Sequence, residues 1–212
     1  MKRQLVRAAL MMAVRSMVIG MPIAAMMMPS VAQAQFSDSF NFLKAVKDRD
    51  GDKATKLIEK PGGTVVNTRD LKNGETALHI VVARRDLTWL NFILAKGGKP
   101  DLANNAGDTP LMLATQLRWA DGVSLLLANR ASVDKANDNG ETPLIRAVQL
   151  RDLAMTRLLV AQGANPDKRD AIAGMSARDY AEREGRATGL TEALAAAKPA
   201  KPANSAVQGP TF

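Results

Sequence analysis

The sequence predicts an all-α protein built from stacked pairs of short helices. A short segment recurs with its glycine at Gly74, Gly107 and Gly140, which are equally spaced. A weaker copy contains Gly174 at nearly the same interval. A fixed period of about 20 to 50 residues is typical of repeat proteins, because each unit buries the apolar face of its neighbour. Between the glycines, apolar residues recur at the i, i+3 and i+4 spacing of helices.

Positions 1–34 are predicted to be a secretory signal peptide. Basic residues precede an apolar stretch at 17–28, and the segment ends in Ala32-Gln33-Ala34, the small-x-small pattern of a signal-peptidase site. This apolar stretch is much shorter than the roughly 20 residues that a permanent transmembrane helix needs. We therefore expect cleavage after Ala34 and a periplasmic or secreted protein without a stable membrane span. An uncleaved membrane anchor is the alternative.

The segments 40–46 and 53–60 predict the two helices of an N-terminal capping unit. Gly51 and Asp52 are expected to form the turn between them. A terminal repeat needs a polar outer surface because no further unit covers it. The residues expected to face inward are Phe42, Leu43 and Val46.

Three full repeats of one local design are predicted to follow. The glycine permits a positive φ at the tip of a turn, and the threonine two positions later serves as helix N-cap. Proline fits the first helical position because its missing N–H would have no partner there. Gly97 and Gly163 are expected to end second helices in the left-handed conformation, whereas Arg130 takes that place in the middle repeat and is less favourable. The N-cap threonines are Thr76, Thr109 and Thr142.

A closing unit is predicted from Ser176 through Leu190 and Leu194, so that the repeat domain spans 35–197. The remaining segment, 198–212, is rich in lysine, proline and small polar residues. It has too few apolar residues to support a core and is predicted to be a disordered tail. It either keeps the protein soluble or contacts the cell wall or an acidic partner.

The Gly-x-Thr-Pro-Leu-His pattern, a second helix ending in Leu-Leu, and Gly-Ala at 33-residue spacing together resemble the ankyrin repeat. The resemblance covers positions 36–197 and implies an ankyrin-repeat solenoid of two caps and three full repeats, with β-turn loops projecting as fingers. It also implies that His79 bridges neighbouring repeats through hydrogen bonds; Met112 and Ile145 replace this histidine. Gly122 stands where the motif has a packed apolar residue, so the middle repeat is expected to be the least stable.

Composition excludes several kinds of chemistry. The chain has no cysteine and one histidine, so disulfides, thiolate catalysis, cysteine zinc sites and multi-histidine metal sites are excluded. The net charge of +8 is partly carried by the signal peptide, and no basic stripe with interspersed aromatic residues indicates nucleic-acid binding. The acidic residues at Asp108, Asp138 and Glu141 are expected to be solvated finger tips. No cofactor, metal or catalytic activity is predicted.

The resemblance implies a protein-binding surface formed by the fingers and the ends of the first helices. Leu117 and Leu150 stand at equivalent places, and they either form the centre of an interface or pack under neighbouring loops. Trp119, at a helix–helix junction, is a further candidate anchor, whereas Trp89 is expected in the core. The implied contact residues are Lys72, Asn73, Glu75, Arg84, Asn105, Asp108, Gln116, Leu117, Asp138, Asn139, Glu141, Gln149 and Leu150.

These features predict a monomeric protein-binding module in the cell envelope, acting as adaptor, inhibitor or protective partner of another exported protein. One alternative is an envelope structural protein held at the cell wall by its tail. The other is an enzyme built on the repeat fold, with His79 as its acid–base residue.

Overall fold

The computed structural model describes residues 30–61, 65–184 and 189–196, with side chains from residue 38 onward. By its internal contacts the chain divides into a unit at 1–34 and a unit at 35–212. The predicted apolar stretch at 17–28 and the predicted tail at 198–212 lie outside the described residues. Among the helices in these ranges, none is long and apolar enough to cross a membrane.

The described ranges contain ten α-helices, one short 3-10 helix at 65–67 and no β-strand, apart from one isolated bridge between Arg169 and Ser176. The α-helices are α1 Ser30–Asp48, α2 Gly51–Ile58, α3 Ala77–Ala83, α4 Leu87–Ala95, α5 Pro110–Gln116, α6 Ala120–Ala128, α7 Pro143–Gln149, α8 Leu153–Ala161, α9 Ala177–Glu184 and α10 Leu190–Ala195.

The helices form pairs that stack in two rows. In the row of first helices, α3 contacts α5, α5 contacts α7 and α7 contacts α9; among the second helices, α4 contacts α6 and α8 contacts α10. The core lies between the rows, where equivalent side chains of successive repeats are at most 2% exposed. The prediction of three full helix-pair repeats between two capping units is confirmed. The core side chains include Leu78, Leu111 and Leu144 in the first row and Ile93, Leu126 and Leu159 in the second.

The predicted helix starts are also confirmed. Thr109 caps α5 by accepting the N–H of Met112 at 3.2 Å, and Thr142 caps α7 by accepting that of Ile145 at 3.3 Å. Both helices begin with proline. The repeated Thr-Pro pair therefore fixes where each of these first helices begins.

An arginine occupies the turn between the two helices of each of the first four pairs. Arg49, Arg85, Arg118 and Arg151 all have positive φ, between 54° and 59°. A non-glycine residue in this conformation costs about 1 kcal/mol. Two of these arginines also reach the next repeat: Arg85 donates to the carbonyl of Leu117 and Arg118 to that of Leu150, each at 2.6 Å.

The N-terminal unit and the end of α6 differ locally from the other repeats. The turn of the N-terminal unit lies at Arg49 and Asp50 rather than at Gly51 and Asp52, because the Asp50 carboxylate caps α2 by accepting the N–H of Lys53 at 2.9 Å. Arg130 has φ of 65° and occupies the place of the helix-ending glycines, as predicted. The expected inward-facing residues of the first unit are buried: Phe42, Leu43 and Val46.

Trp119 and Gly122 compensate for each other in the middle repeat. Trp119 is the N-cap residue of α6 but makes no capping hydrogen bond. Its ring lies against Gly122 so closely that a Cβ added there would collide with it. Trp119, a candidate anchor in the sequence, is half-buried, and its indole fills the space left by the missing side chain of Gly122. Trp89 is also half-buried and packs edge-on against Phe92.

Candidate functional site

Four loops, here called fingers 1 to 4, precede the first helices and lie at residues 70–75, 104–108, 137–141 and 170–175. Each is closed by a backbone hydrogen bond from its first residue to the carbonyl of its last, at 2.7 to 3.0 Å. The first residue is Asp or Asn, and its side-chain oxygen accepts N–H groups inside the loop. These hydrogen bonds, all between residues of the same loop, fix the conformation of each finger without pairing in a β-sheet.

Successive fingers are joined by backbone hydrogen bonds. The N–H of Asn105 donates to the carbonyl of Asn73 at 2.9 Å, and Ala171 donates to Asn139 at 2.8 Å. Fingers 2 and 3 are joined in the same way from Asp138 to Ala106 at 3.3 Å. The fingers therefore form a connected row, and the side chains at their tips are held at defined spacing.

Gly107, in finger 2, is required for two reasons. Gly107 has φ of 77°, which favours glycine. In addition, a Cβ on this residue would collide with the backbone nitrogen and the carboxylate of Asp138 in the next finger. Gly174 has φ of 64° in finger 4, yet a Cβ there meets nothing within 4 Å. Gly74, Gly107 and Gly140 have φ of 71°, 77° and 75° in fingers 1 to 3, so the prediction that these three glycines are equivalent loop tips is confirmed.

Fingers 1 and 4 each contain one more residue than fingers 2 and 3. Both have the sequence Arg-Asp-x-x-x-Gly, and the arginine donates to the glycine carbonyl, from Arg69 to Gly74 at 3.3 Å and from Arg169 to Gly174 at 2.6 Å. The longer loops expose an aliphatic side chain: Leu71 is 77% and Ile172 74% exposed. Sequence reasoning missed both residues, although the repeated Arg-Asp-x-x-x-Gly pattern was a visible signal.

The predicted contact residues separate by exposure. Those that are exposed are Lys72, Asn73, Asn105, Asp138 and Asn139. Those that are half-buried are Glu75, Arg84, Asp108, Gln116, Leu117, Gln149 and Leu150. One, Glu141, is buried.

The expectation that Glu141 is a solvated finger tip is wrong. Its carboxylate accepts hydrogen bonds from Arg146 at 2.7 Å and from the amide of Asn137 at 3.1 Å. The same amide donates to Asp108 at 3.1 Å, and Gln116 donates to the other oxygen of that carboxylate at 3.3 Å. These groups form one polar network across fingers 2 and 3, and it holds the two repeats together.

The half-buried leucines and Arg84 are also engaged within the fold. Leu117 packs against the core. Leu117 and Leu150 are the C-cap residues of α5 and α7, with their carbonyls bound by arginines of the preceding repeats. The guanidinium of Arg84 donates to the carbonyls of Val46 and Lys47 at the end of α1 and lies over the ring of Trp89, 5.7 Å from its centre.

His79 is buried and uses both ring nitrogens. Its Nδ1 accepts the N–H of Thr76 at 3.2 Å and lies 2.9 Å from the hydroxyl of the same residue. Nε2 therefore carries the proton and donates to the carbonyl of Asp108 in the next repeat at 2.9 Å. The predicted bridge between repeats is confirmed. Burial lowers the pKa of His79, although the bond to Asp108 opposes the shift.

At the C-terminal end, finger 4 is tied to the closing unit. The Tyr180 hydroxyl donates to the Asp170 carboxylate at 2.6 Å, and the N–H groups of Ile172, Ala173 and Gly174 donate to the same carboxyl group. Burial opposes ionisation, but these four donors keep the pKa of Asp170 below its usual value.

A groove lies at the other end of the repeat stack, with a volume of about 430 Å³. One wall is the face of α1 that carries Phe40, and the other is the segment 68–72, which includes the first three residues of finger 1. The exposed side chains of Phe40 (66%) and Leu71 (77%) both line the groove, and so does the buried Leu43. The polar residues of the lining are Ser39, Lys44, Lys47, Thr68, Arg69, Asp70 and Lys72.

Within the described ranges, no group of three or more histidine, aspartate or glutamate side chains is placed to hold a metal ion.

Comparison with known protein families identifies the repeat architecture of this chain. A family model described as ankyrin repeats, in three copies, matches residues 42–133 and again residues 78–170. The two overlapping matches together span more than half of the chain.

Proposed function

Because this chain belongs to the family of ankyrin-repeat proteins, we propose that it is a protein-binding module of the cell envelope. Such repeats generally mediate binding between proteins through the extended surface that stacking creates. The proposed role is that of an adaptor, inhibitor or protective partner of another exported protein.

The observation that carries the proposal is the row of joined fingers with different side chains at equivalent tips. Lys72, Asn105 and Asp138 occupy the same position in fingers 1 to 3 and are all exposed. They present a positive, a neutral and a negative group in turn, on loops whose backbones are bonded to one another. Varied side chains on a fixed frame favour selective recognition, because little ordering of the loops is needed on binding.

Export is supported by the order of basic, apolar and small residues that ends at Ala34. Cell fractionation followed by N-terminal sequencing tests this part of the proposal. We expect a periplasmic or secreted chain that begins at Gln35. A chain that retains Met1 and sediments with membranes would instead indicate an uncleaved anchor.

Site-specific photo-crosslinking tests the binding role. A photoreactive residue placed at Lys72, Asn105 or Asp138 is expected to capture the same protein, identified by mass spectrometry. Thr88 and Asn91 are exposed on α4 and serve as matched control positions. Equal capture from the control positions, or no capture from any finger, would reject a finger-mediated binding function.

A further inference from the structure

We propose that the groove between α1 and finger 1 is the main docking site, and that it takes an acidic segment carrying one large apolar side chain. This inference rests on the proposed function, because it assumes a protein partner. It adds the place of binding and the chemistry of the bound segment.

The apolar part of the groove is assembled from two separate elements. Phe40, Leu43, Lys44 and Lys47 follow one another on a single face of α1, at i, i+3, i+4 and i+7. The extra residue of finger 1 places Leu71 opposite this face. Phe40 and Leu71 are two of the most exposed large apolar side chains in the described ranges. Their joint exposure at a concave site is typical of an interaction surface.

The electrostatics of the groove select an anionic partner. Four basic side chains and one carboxylate line it. That carboxylate, Asp70, already accepts the backbone N–H of Lys72 at 2.9 Å and the ammonium of Lys47 at 3.2 Å. The side-chain cations of Arg69 and Lys72 have no acidic partner in the part of the chain that the structure describes. Two uncompensated cations beside exposed apolar groups complement acidic residues that flank an apolar one.

The polar network of fingers 2 and 3 directs the partner to this end of the stack. The carboxylates of Asp108 and Glu141 and the side chains that bind them are engaged with one another. A partner that used these groups would have to break those bonds. At the groove, by contrast, binding covers exposed apolar surface and neutralises two cations that have no acidic partner among the described residues.

Finger 4 provides a matched control for the experiment. Ile172 is as exposed as Leu71, and it lies in a loop with the same Arg-Asp-x-x-x-Gly sequence. Leu71→Asp and Ile172→Asp therefore make the same chemical change at equally solvated positions. Neither side chain is buried, so both variants are expected to retain the circular dichroism spectrum and the melting temperature of the parent chain.

The probe is a phage-displayed library of random peptides of about twelve residues, panned on the full chain, since such lengths suit groove recognition. Selected peptides are then synthesised with a fluorophore and titrated by anisotropy. We expect them to carry aspartate or glutamate beside leucine or an aromatic residue. Leu71→Asp and Lys72→Glu are each expected to weaken binding about tenfold or more, and Ile172→Asp by less than about twofold.

Several results would overturn the inference. These are selected peptides that lack acidic residues, peptides that bind Leu71→Asp as well as the parent, or an equal loss with Ile172→Asp. A dimer in light scattering that Leu71→Asp converts to monomer would assign the groove to a second copy of the chain. Binding to phosphatidylglycerol vesicles that depends on Leu71 would assign it to a membrane. If a partner is still cross-linked from the fingers in these cases, the proposed function stands without this site; if neither peptide nor cross-linked partner is found, both fail.

Discussion

Replacing Gly107 with alanine tests whether the fingers form a connected row. In the folded chain a Cβ at this position collides with the backbone nitrogen and carboxylate of Asp138, so finger 3 has to move away. That movement lengthens the bond from Asp138 to the carbonyl of Ala106. Gly174→Ala makes the same change at the equivalent tip of finger 4, where a Cβ meets nothing within 4 Å.

The comparison separates backbone strain from the collision between fingers. Both glycines have positive φ, so alanine costs about 1 kcal/mol at each position. The reduced freedom of the unfolded chain offsets about 0.4 to 1 kcal/mol of this cost. At Gly107, overpacking adds about 1 to 3 kcal/mol and the weakened hydrogen bond about 1 kcal/mol. We therefore expect Gly107→Ala to lower the free energy of unfolding by about 3 kcal/mol, and Gly174→Ala by less than about 1 kcal/mol.

Thermal unfolding followed by circular dichroism measures the difference. A loss of about 3 kcal/mol corresponds to a fall in the melting temperature of about 6 to 12 °C for a domain of this size. The Gly174→Ala variant is expected to melt within about 3 °C of the parent chain. Equal shifts for the two variants would show that only the positive φ matters, and would refute the packing of one finger against the next.

Three further predictions concern stability. Burial lowers the pKa of His79 below that of the unfolded chain, so the free energy of unfolding is expected to fall as the pH drops below about 6.5, by at most about 1.4 kcal/mol per pH unit. His79→Met is expected to remove this part of the acid sensitivity in urea titrations at successive pH values; an unchanged pH profile would contradict it. Arg118→Ala keeps the strained φ and loses the bond to Leu150, whereas Arg118→Gly loses the bond and relieves the strain but gives the unfolded chain more freedom, so the alanine variant is expected to be less stable by no more than about 0.6 kcal/mol in urea unfolding; an alanine variant more stable than the glycine variant would be inconsistent with that strain. Trp119→Asp and Gly122→Met are each expected to destabilise the chain. Together they reproduce the next repeat, in which the Asp152 side chain caps the helix by accepting the N–H of Met155, so the two changes are expected to be coupled by at least about 1 kcal/mol. Additive losses in a double-mutant cycle would argue against the compensation.

The fold was predictable because the residues that begin each helix and shape each turn act within a single repeat. Thr109 and Pro110 start a helix through contacts within one turn, and Gly107 shapes a turn through its own φ. Such local signals act between near neighbours and recur at a constant interval, so the period identified the three full helix-pair repeats, and helical spacing added the capping units. The inward-facing residues followed from helical spacing for the same reason.

The candidate surface was only partly predictable, because exposure depends on what packs from other repeats. Glu141 looks like a free acid in the sequence, but it is buried because Asn137 and Arg146 converge on it. Trp119 looks like a free anchor, but it covers Gly122.

The sequence by itself therefore determined the helices, the glycine turns of the full repeats and the repeat count, all of which depend on interactions between near neighbours. Tertiary structure decided which polar groups are already satisfied and where apolar groups remain open to solvent. Phe40 and Leu71 are distant in the chain, and only the stacking of the first repeat against α1 makes them two walls of one groove.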